Sequence, residues 1–265
     1  MRSNRVDADR ADAARLRAAR VDAARVVGVV LAAGAGARMG RPKALVHRAD
    51  GRSWLDLSVT ALLDGGCAEV VVVLGAADRE ARALVPARPT VRSVVAVDWA
   101  RGPSASLRAG LAAARATGGV DAVLVSLVDL PGLPAGAVRR VLADAAGSAD
   151  AAGPGDTDRP GDAAGPGAAA GSAAIRASLR RASYDGRPGH PVLVGRDHWE
   201  ALTAALAAPA AEGDRGAGPW LRAAGVEPVE CGDLWDGADR DHPGPDLRGA
   251  PRPSGPAVAG ARATT

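Results

Sequence analysis

The sequence has few aromatic residues: among its 265 residues there is no Phe, and the one Tyr stands at position 184. Proteins that bind single-stranded nucleic acids stack the bases on aromatic side chains, so a binding surface of this kind is not expected here. An excess of one charge is lacking too, because 33 Lys and Arg nearly balance 30 Asp and Glu. The net charge of +3 therefore predicts no nucleic-acid partner.

Cysteine is scarce, and long apolar runs are absent. Cys67 and Cys231 stand alone, without a CxxC pair or a disulfide framework, which is typical of a reducing compartment. No run reaches the roughly 20 apolar residues that a membrane span requires. The first 24 residues alternate Arg, Asp and Ala without the apolar centre of a signal peptide. These absences predict a soluble, cytoplasmic protein with no membrane partner.

Apolar runs rich in Val alternate with helical patterns along the chain. Continuous β-branched runs are typical of strands that are buried on both faces, and alternation with helices is typical of βαβ units. The predicted strands cover residues 26–31, 69–74, 91–97 and 122–128, and the predicted helices cover residues 54–63, 78–84 and 104–116. The pattern predicts an α/β protein with a doubly wound, mostly parallel sheet in a three-layer, Rossmann-like arrangement.

Composition divides the chain into one domain and three irregular segments. Residues 1–24 are interpreted as a polar extension, and residues 25–248 as the domain. Within it, residues 145–173 consist almost entirely of Ala, Gly, Pro and Asp, which predicts a disordered insertion. A further helix is predicted at 197–207 and a strand at 225–230, and residues 249–265 are expected to form a disordered tail.

The segment after the first predicted strand, residues 31–43, reads LAAGAGARMGRPK. Its glycines allow a tight turn that presents backbone N–H groups to an anion, and Arg38 and Lys43 add fixed positive charge. The spacing excludes a G-x-G-x-x-G motif, because Met39 stands where glycine is needed, and it excludes the Walker pattern. We predict a triphosphate-binding loop; a glycine-rich turn with surface cations is the alternative.

Two further segments contain candidate site residues. Asp129 follows the buried run 122–128, at the carboxyl end of a predicted strand, where a carboxylate can hold a hard divalent cation. The alternative is a residue that caps the next turn. Ser104 and Ser106 begin a predicted helix, and Ser104 has the pattern of a helix N-cap.

The loop signature L-A-A-G-x-G-x-R-M-G-x-x-K resembles the molybdopterin nucleotidyltransferase family, whose members carry a MobA-like NTP transferase domain. Later segments agree with this resemblance. Residues 102–110 resemble the family's G-x-x-S-S-L-x-x-G-L, residues 189–195 match G-H-P-V-L-F-G, and residues 213–217 match G-D-x-G-A. The match at residues 189–195 favours the molybdenum cofactor cytidylyltransferase branch.

The resemblance implies a catalytic set of Arg38, Lys43 and Asp129. It also implies Mg²⁺ on Asp129 with Asp241, or else Asp239, as a second ligand, from a degraded D-x-D-T-P-E-D-L stretch; a solvated acidic loop is the alternative there. Acceptor contacts are implied for His190 and Asp214, with a structural role for the former and helix capping for the latter as alternatives. Nucleotide contacts are implied for Leu31, Ala32, Ala33, Gly34, Gly36, Arg38, Lys43, Ser104 and Ser106.

The implied reaction moves a nucleoside monophosphate from a triphosphate to molybdenum-bearing molybdopterin and releases pyrophosphate. CTP is favoured over GTP, because Ala33 stands in L-A-A-G where guanylyl-transferring relatives have L-A-G-G. Two alternatives remain open. One is a nucleotidyltransferase that acts on a sugar phosphate or phospholactate, and the other is a non-catalytic nucleotide-binding protein that serves a molybdenum hydroxylase.

Overall fold

The computed structural model describes residues 24–143, 166–208, 213–240 and 247–248. Its strands are β1 (Val26–Ala32), β2 (His47–Arg48), β3 (Glu69–Leu74), β4 (Val91–Val95), β5 (Ala122–Leu127), β6 (Leu179–Tyr184), β7 (Arg187–Gly195), β8 (Glu227–Glu230) and β9 (Leu247–Arg248). Seven of them form one sheet in the order β4-β3-β1-β5-β7-β6-β8, and β2 pairs with β9 separately. Strands β4, β3, β1 and β5 run parallel, whereas β7 is antiparallel to both β5 and β6. The sheet is therefore mostly parallel, with one reversed strand.

Helices cover both faces of the sheet. They are α1 (Trp54–Asp64), α2 (Asp78–Arg82), α3 (Pro103–Ala116), α4 (Ala135–Ala143), α5 (Pro166–Ala177), α6 (Trp199–Ala207) and α7 (Gly218–Ala223). Alternate strand residues bury opposite faces: Val30 and Val72 belong to the core under α1 and α4, whereas Val29 and Val73 belong to the core under α3, α6 and α7. This three-layer α/β arrangement confirms the predicted fold class.

Glycine lets α3 lie directly on the centre of the sheet. A Cβ atom at Gly110 would come within 2.6 Å of Val29 Cγ1, closer than side chains can pack. The amino-terminal end of α3 is thereby held beside the carboxyl end of β1. Within the described ranges, no helix is long and apolar enough to cross a membrane.

The predicted elements at residues 26–128 are confirmed with shifts of a few residues at their ends. One prediction needs correction: residues 166–173, taken as part of a disordered insertion, lie in α5. The physical reason is that this stretch is rich in Ala, a strong helix former, and leads into Ile175, which is 3% exposed in the core. Residues 144–165, the extension 1–23 and the tail 249–265 lie outside the described residues. The sequence also left α4 and the β6–β7 hairpin unpredicted.

Candidate nucleotide-binding site

The loop after β1 turns back on itself through two glycines with positive φ. Gly36 has φ +64°, and a Cβ atom there would lie 1.9 Å from the carbonyl oxygen of Arg41, so only glycine fits. A single 3-10 turn, Ala37–Met39, follows and ends at Gly40, which has φ +71°. The side chain of Met39 is buried in the core and anchors the turn. The loop is thus fixed at both ends with its amides at the edge of the sheet.

A cavity of about 460 Å³ opens where β1, β5 and α3 meet. Its walls come from the loop, from the ends of β1 and β5, and from Pro103 at the start of α3. Ala33, which is also a predicted loop residue, does not line the cavity. It is 4% exposed, and its carbonyl oxygen accepts a hydrogen bond from the amide of Ala76 at 2.9 Å. Seven of the sequence-predicted residues line the cavity: Leu31, Ala32, Gly34, Gly36, Arg38, Lys43 and Asp129.

Lys43 and Asp129 form an ion pair across the cavity. Lys43 Nζ lies 2.6 Å from Asp129 Oδ2, and the two side chains are only 16% and 14% exposed. The other carboxylate oxygen, Asp129 Oδ1, is buried and has no hydrogen-bond partner in the described part of the chain. A buried anionic oxygen without a donor is costly, and a cation satisfies it.

This orphaned oxygen fits a divalent metal ion. Mg²⁺ is commonly held by one or two carboxylates, with substrate phosphates and water completing its coordination. Across residues 24–143, 166–208 and 213–240, no group of three or more His, Cys, Asp or Glu side chains is placed to hold a metal. The buried, unpartnered Oδ1 of Asp129 is the observation that offers this side chain as a ligand.

The segment that follows β8 returns to the same place. The amide of Arg240 donates to the carbonyl oxygen of Asp129 at 3.0 Å, which places Asp239 next to that residue. The predicted second ligand, Asp241, lies outside the described residues. Trp235 holds the segment in place by packing edge-on against Tyr184, with ring centroids 5.4 Å apart. The sequence motifs gave no signal for this aromatic pair.

Asp214 reaches α3 from 110 residues further along the chain. Its Oδ2 accepts the amide of Ser104 at 2.8 Å, and its Oδ1 accepts Ser104 Oγ at 2.5 Å and the amide of Gly216 at 2.8 Å. Ser104 does not occupy the N-cap position, which was the alternative for this residue: Gly102 stands there, and Asp214 caps the helix. A Cβ atom at Gly102, which has φ +125°, would lie 2.4 Å from Asp214 Oδ2. Ser106 is 7% exposed on the buried side of α3.

These hydrogen bonds change the acidity of Asp214. Partial burial raises the pKa of this carboxyl, but donation from Ser104 Oγ and from the amides of Gly216 and Ser104 outweighs burial and lowers the pKa below its ordinary value. The carboxylate is therefore charged at neutral pH, and its hydrogen bonds hold the start of α3 at the wall of the cavity.

His190 lies half-buried near the start of β7. Its Nδ1 is 3.3 Å from the carbonyl oxygen of Val125, and its own carbonyl accepts the hydroxyl of Tyr184 at 2.7 Å. Burial lowers the pKa of His190; the Val125 carbonyl opposes this, Arg181 lowers the pKa further, and Asp129 raises it. The net lowering keeps the ring neutral at pH 7.

Residues 28–229 match the family described as MobA-like NTP transferase domain. The chain belongs to this family. Over 118 residues it is 46% identical to nicotine blue oxidoreductase from Paenarthrobacter nicotinovorans, a match that covers 44% of this chain and 55% of that protein. The chain thus spans about half the length of this curated relative.

Solved structures of related proteins show the same fold. A nucleotidyl transferase from Methanothermobacter, Mth528, superposes with a TM-score of 0.58 at 22% identity, covering 82% of this chain and 92% of that one. Rv0371c from Mycobacterium tuberculosis, in complex with manganese, superposes with a TM-score of 0.51 at 24% identity, covering 79% and 88%. The Rossmann-like fold of nucleotidyltransferases is therefore shared by all three chains.

Proposed function

We propose that this protein is a magnesium-dependent nucleotidyltransferase of the cytoplasm, where nucleoside triphosphates are available. In this proposal it transfers a nucleoside monophosphate, from CTP in preference to GTP, to molybdenum-bearing molybdopterin. The observation that carries the proposal is the cavity in which Arg38 and Lys43 face Asp129, whose Oδ1 is buried without a partner. Membership of the MobA-like NTP transferase family supports the reaction type.

In the proposed reaction a phosphate oxygen of the acceptor forms a bond to the α-phosphorus of the nucleotide. The bond from that phosphorus to the pyrophosphate leaving group breaks at the same time. Loop amides, Arg38 and Lys43 bind and neutralise the pyrophosphate. The acceptor phosphate is already ionised, so no strong general base is needed. His190, whose pKa burial lowers, then shapes the acceptor side of the site.

A divalent cation would be held by Asp129, and we propose Asp241 as its second ligand. The cation supplies charge neutralisation at the phosphates and fixes their orientation. The manganese complex of Rv0371c supports a divalent cation for this fold, and Mg²⁺ is the ion that we propose here. The preference for CTP rests on Ala33, which is buried against the segment after β3 and so acts through the shape of the loop.

A redox reaction is the second candidate, because of the 46% identity to nicotine blue oxidoreductase. In that case the loop would hold the diphosphate of a dinucleotide instead of a triphosphate, since both ligands present the same phosphate chemistry to backbone amides. The cavity can accommodate either ligand, so a measurement of activity is needed to distinguish the two candidate functions.

One experiment distinguishes these functions. The protein is incubated with Mg²⁺, each of the four nucleoside triphosphates and one acceptor at a time, either molybdenum-bearing molybdopterin, a sugar phosphate or phospholactate, and pyrophosphate is measured. Release with CTP alone is the expected result, and release only with a sugar phosphate or phospholactate would reassign the acceptor. Samples that release no pyrophosphate but oxidise NADH or NADPH while they reduce an added quinone-type dye would establish the redox candidate. Nucleotide binding without any turnover would point to an accessory protein for a molybdenum hydroxylase.

Matched variants test the site. Asp129→Ala should abolish pyrophosphate release with the circular dichroism spectrum unchanged, because it removes the proposed metal ligand. Asp121→Asn is its control: it changes a carboxylate just before the amino end of the same strand, where Asp121 accepts from the Arg25 amide and Ser172 Oγ, each within 2.9 Å.

Lys43→Ala should be almost as damaging as Asp129→Ala, whereas Arg41→Ala, which changes an exposed side chain, should leave the activity intact. Full activity of Asp129→Ala would place the metal elsewhere.

A further inference from the structure

Two consecutive arginines on β6 have opposite surroundings. Arg180 is 4% exposed; its Nε and Nη2 each lie 3.1 Å from the carboxylate of Glu227, and its Nη1 donates to the carbonyl oxygen of Val141. Successive strand residues face opposite sides of a sheet, so Arg181 points to the other face. Arg180 therefore has a structural role, because its charge is paired with Glu227 and its donors are satisfied.

Arg181 is half-buried and lacks such a partner. Its Nε donates to the carbonyl oxygen of Gly189 at 3.0 Å. No carboxylate in the described part of the chain lies within ion-pair distance of it, and its charged neighbour Arg222 carries the same sign. Burial first, and then the charge of Arg222, lower the pKa of Arg181. A guanidinium nevertheless stays protonated at neutral pH, so a partly desolvated positive charge remains without compensation.

The strand register places Arg181 on the same face of the sheet as Val192 and Val125, two strands away from β5. Across the sheet, Arg181 on β6 pairs with Val192 on β7, and Val192 pairs with Val125 on β5. Neighbouring strands are about 4.8 Å apart, so the backbone at Arg181 is about 10 Å from β5. His190 lies between β5 and Arg181: its Nδ1 is 3.3 Å from the carbonyl oxygen of Val125, and the carbonyl of the adjacent Gly189 accepts Arg181 Nε at 3.0 Å. Across the sheet the order is therefore Asp129 after β5, His190 on β7 and Arg181 on β6.

We infer that Arg181 binds the phosphate of the acceptor and presents it to the nucleotide held at Asp129 and Lys43. This inference rests on the proposed function, in which the acceptor is a phosphate ester. The guanidinium offers a planar pair of donors that matches two phosphate oxygens, and the third oxygen is left to form the bond to the α-phosphorus. The bond to pyrophosphate breaks as that bond forms. An anion in this position also compensates the charge of Arg181 and its repulsion with Arg222.

Steady-state kinetics with molybdopterin as the varied substrate test the inference at saturating Mg²⁺ and CTP. Arg181→Gln should raise the KM for the acceptor about 10- to 100-fold, because charge-assisted hydrogen bonds are lost, and should leave the KM for CTP unchanged. Arg181→Lys keeps the positive charge but loses the planar pair of N–H donors, so its KM for the acceptor should lie between those of the wild type and Arg181→Gln. The matched control is Arg180→Gln, which should lower the midpoint of thermal unfolding while leaving the acceptor KM unchanged below that temperature.

Inorganic phosphate provides a direct probe. With a non-hydrolysable CTP analogue filling the loop, calorimetric titration should show phosphate binding to the wild type and binding at least about tenfold weaker to Arg181→Gln. Equal phosphate affinity in the two proteins overturns the inference, and so does an Arg181→Gln protein whose acceptor KM is unchanged. If the wild type binds no analogue and releases no pyrophosphate, the proposed function fails, and phosphate titration without nucleotide still decides the role of Arg181.

Discussion

Replacing Asp214 by Ala removes the carboxylate that holds the start of α3 against the nucleotide cavity. Three hydrogen bonds are lost, two from Ser104 and one from the amide of Gly216. Pro103, which forms a wall of the cavity, lies between the capped residue and Gly102. We therefore expect one substitution to lower both stability and nucleotide affinity.

The size of the effect follows from the number and kind of these contacts. Loss of a helix cap costs about 1 kcal/mol. A charged acceptor contributes more than a neutral one, about 1.5–3 kcal/mol per hydrogen bond in buried settings, and the partial exposure of Asp214 reduces this. We expect a loss of about 2 kcal/mol in the free energy of unfolding, and a fall of about 4–8 °C in the unfolding midpoint for a domain of this size.

The assay compares Asp214→Ala with Ser53→Ala, which removes a cap remote from the cavity. Ser53 Oγ accepts the amide of Asp56 at 3.0 Å at the start of α1. Both variants should lose stability in calorimetry, but Asp214→Ala alone should raise the KM for the nucleotide. An Asp214→Ala protein that is as stable as the wild type, or that keeps its nucleotide KM, would refute the reasoning.

The pH dependence gives an independent check on the same residue. Because the pKa of Asp214 is lower in the folded protein, its carboxylate stabilises the fold above the unfolded pKa of about 4. This contribution is lost as the pH falls below that value through the folded pKa. The difference in unfolding free energy between the wild type and Asp214→Asn should therefore be constant from pH 5 to 7, within about 0.5 kcal/mol, and should shrink in acid.

Two further predictions concern groups outside the cavity. Hydrogen bonds from Ser183 Oγ and from the amide of Gly232 lower the pKa of Glu230 from 4.5 to about 2, against an opposing effect of desolvation. Glu230→Gln should therefore lower the unfolding midpoint at pH 7, and the difference should vanish as the pH falls from 4.5 toward 2; a difference that persists in acid would contradict this assignment. Burial raises the pKa of the Cys67 thiol to about 12, so iodoacetamide at pH 8 should leave Cys67 unmodified in the native protein and alkylate it after denaturation, as peptide mass spectrometry would show. Rapid native alkylation at Cys67 would mean that this part of the core opens readily.

The loop and its carboxylate could be found in the sequence because their chemistry is local. The run of residues 26–31 predicts a buried strand, and the glycines and cations that follow predict an anion-binding turn without knowledge of any distant residue. Asp129 is placed by the same reasoning, since parallel strands end at one edge of their sheet. The pairing of Lys43 with Asp129, 86 residues apart, then follows from the order of β1 and β5 in the sheet.

Other features were decided only by tertiary structure. Ser104 has the local pattern of an N-cap, yet a carboxylate 110 residues away performs the capping, because the chain returns to α3 after α6. Arg180 and Arg181 are identical in type and adjacent in sequence. Their difference arises from the face of β6 on which each lies, and β8 brings Glu227 to only one of those faces.

The sequence by itself determined the order of strands and helices over residues 26–128, the glycine-rich turn after β1 and the carboxylate that follows β5. Those features depend on the spacing of residues within one element and on the geometry of the peptide backbone. Which side chains meet across the sheet was decided by the packing of β7 and β6 against β5, and by the return of the segment after β8 to Asp129. Such contacts join residues far apart in the chain, and the spacing of residues within a single segment carries no information about them.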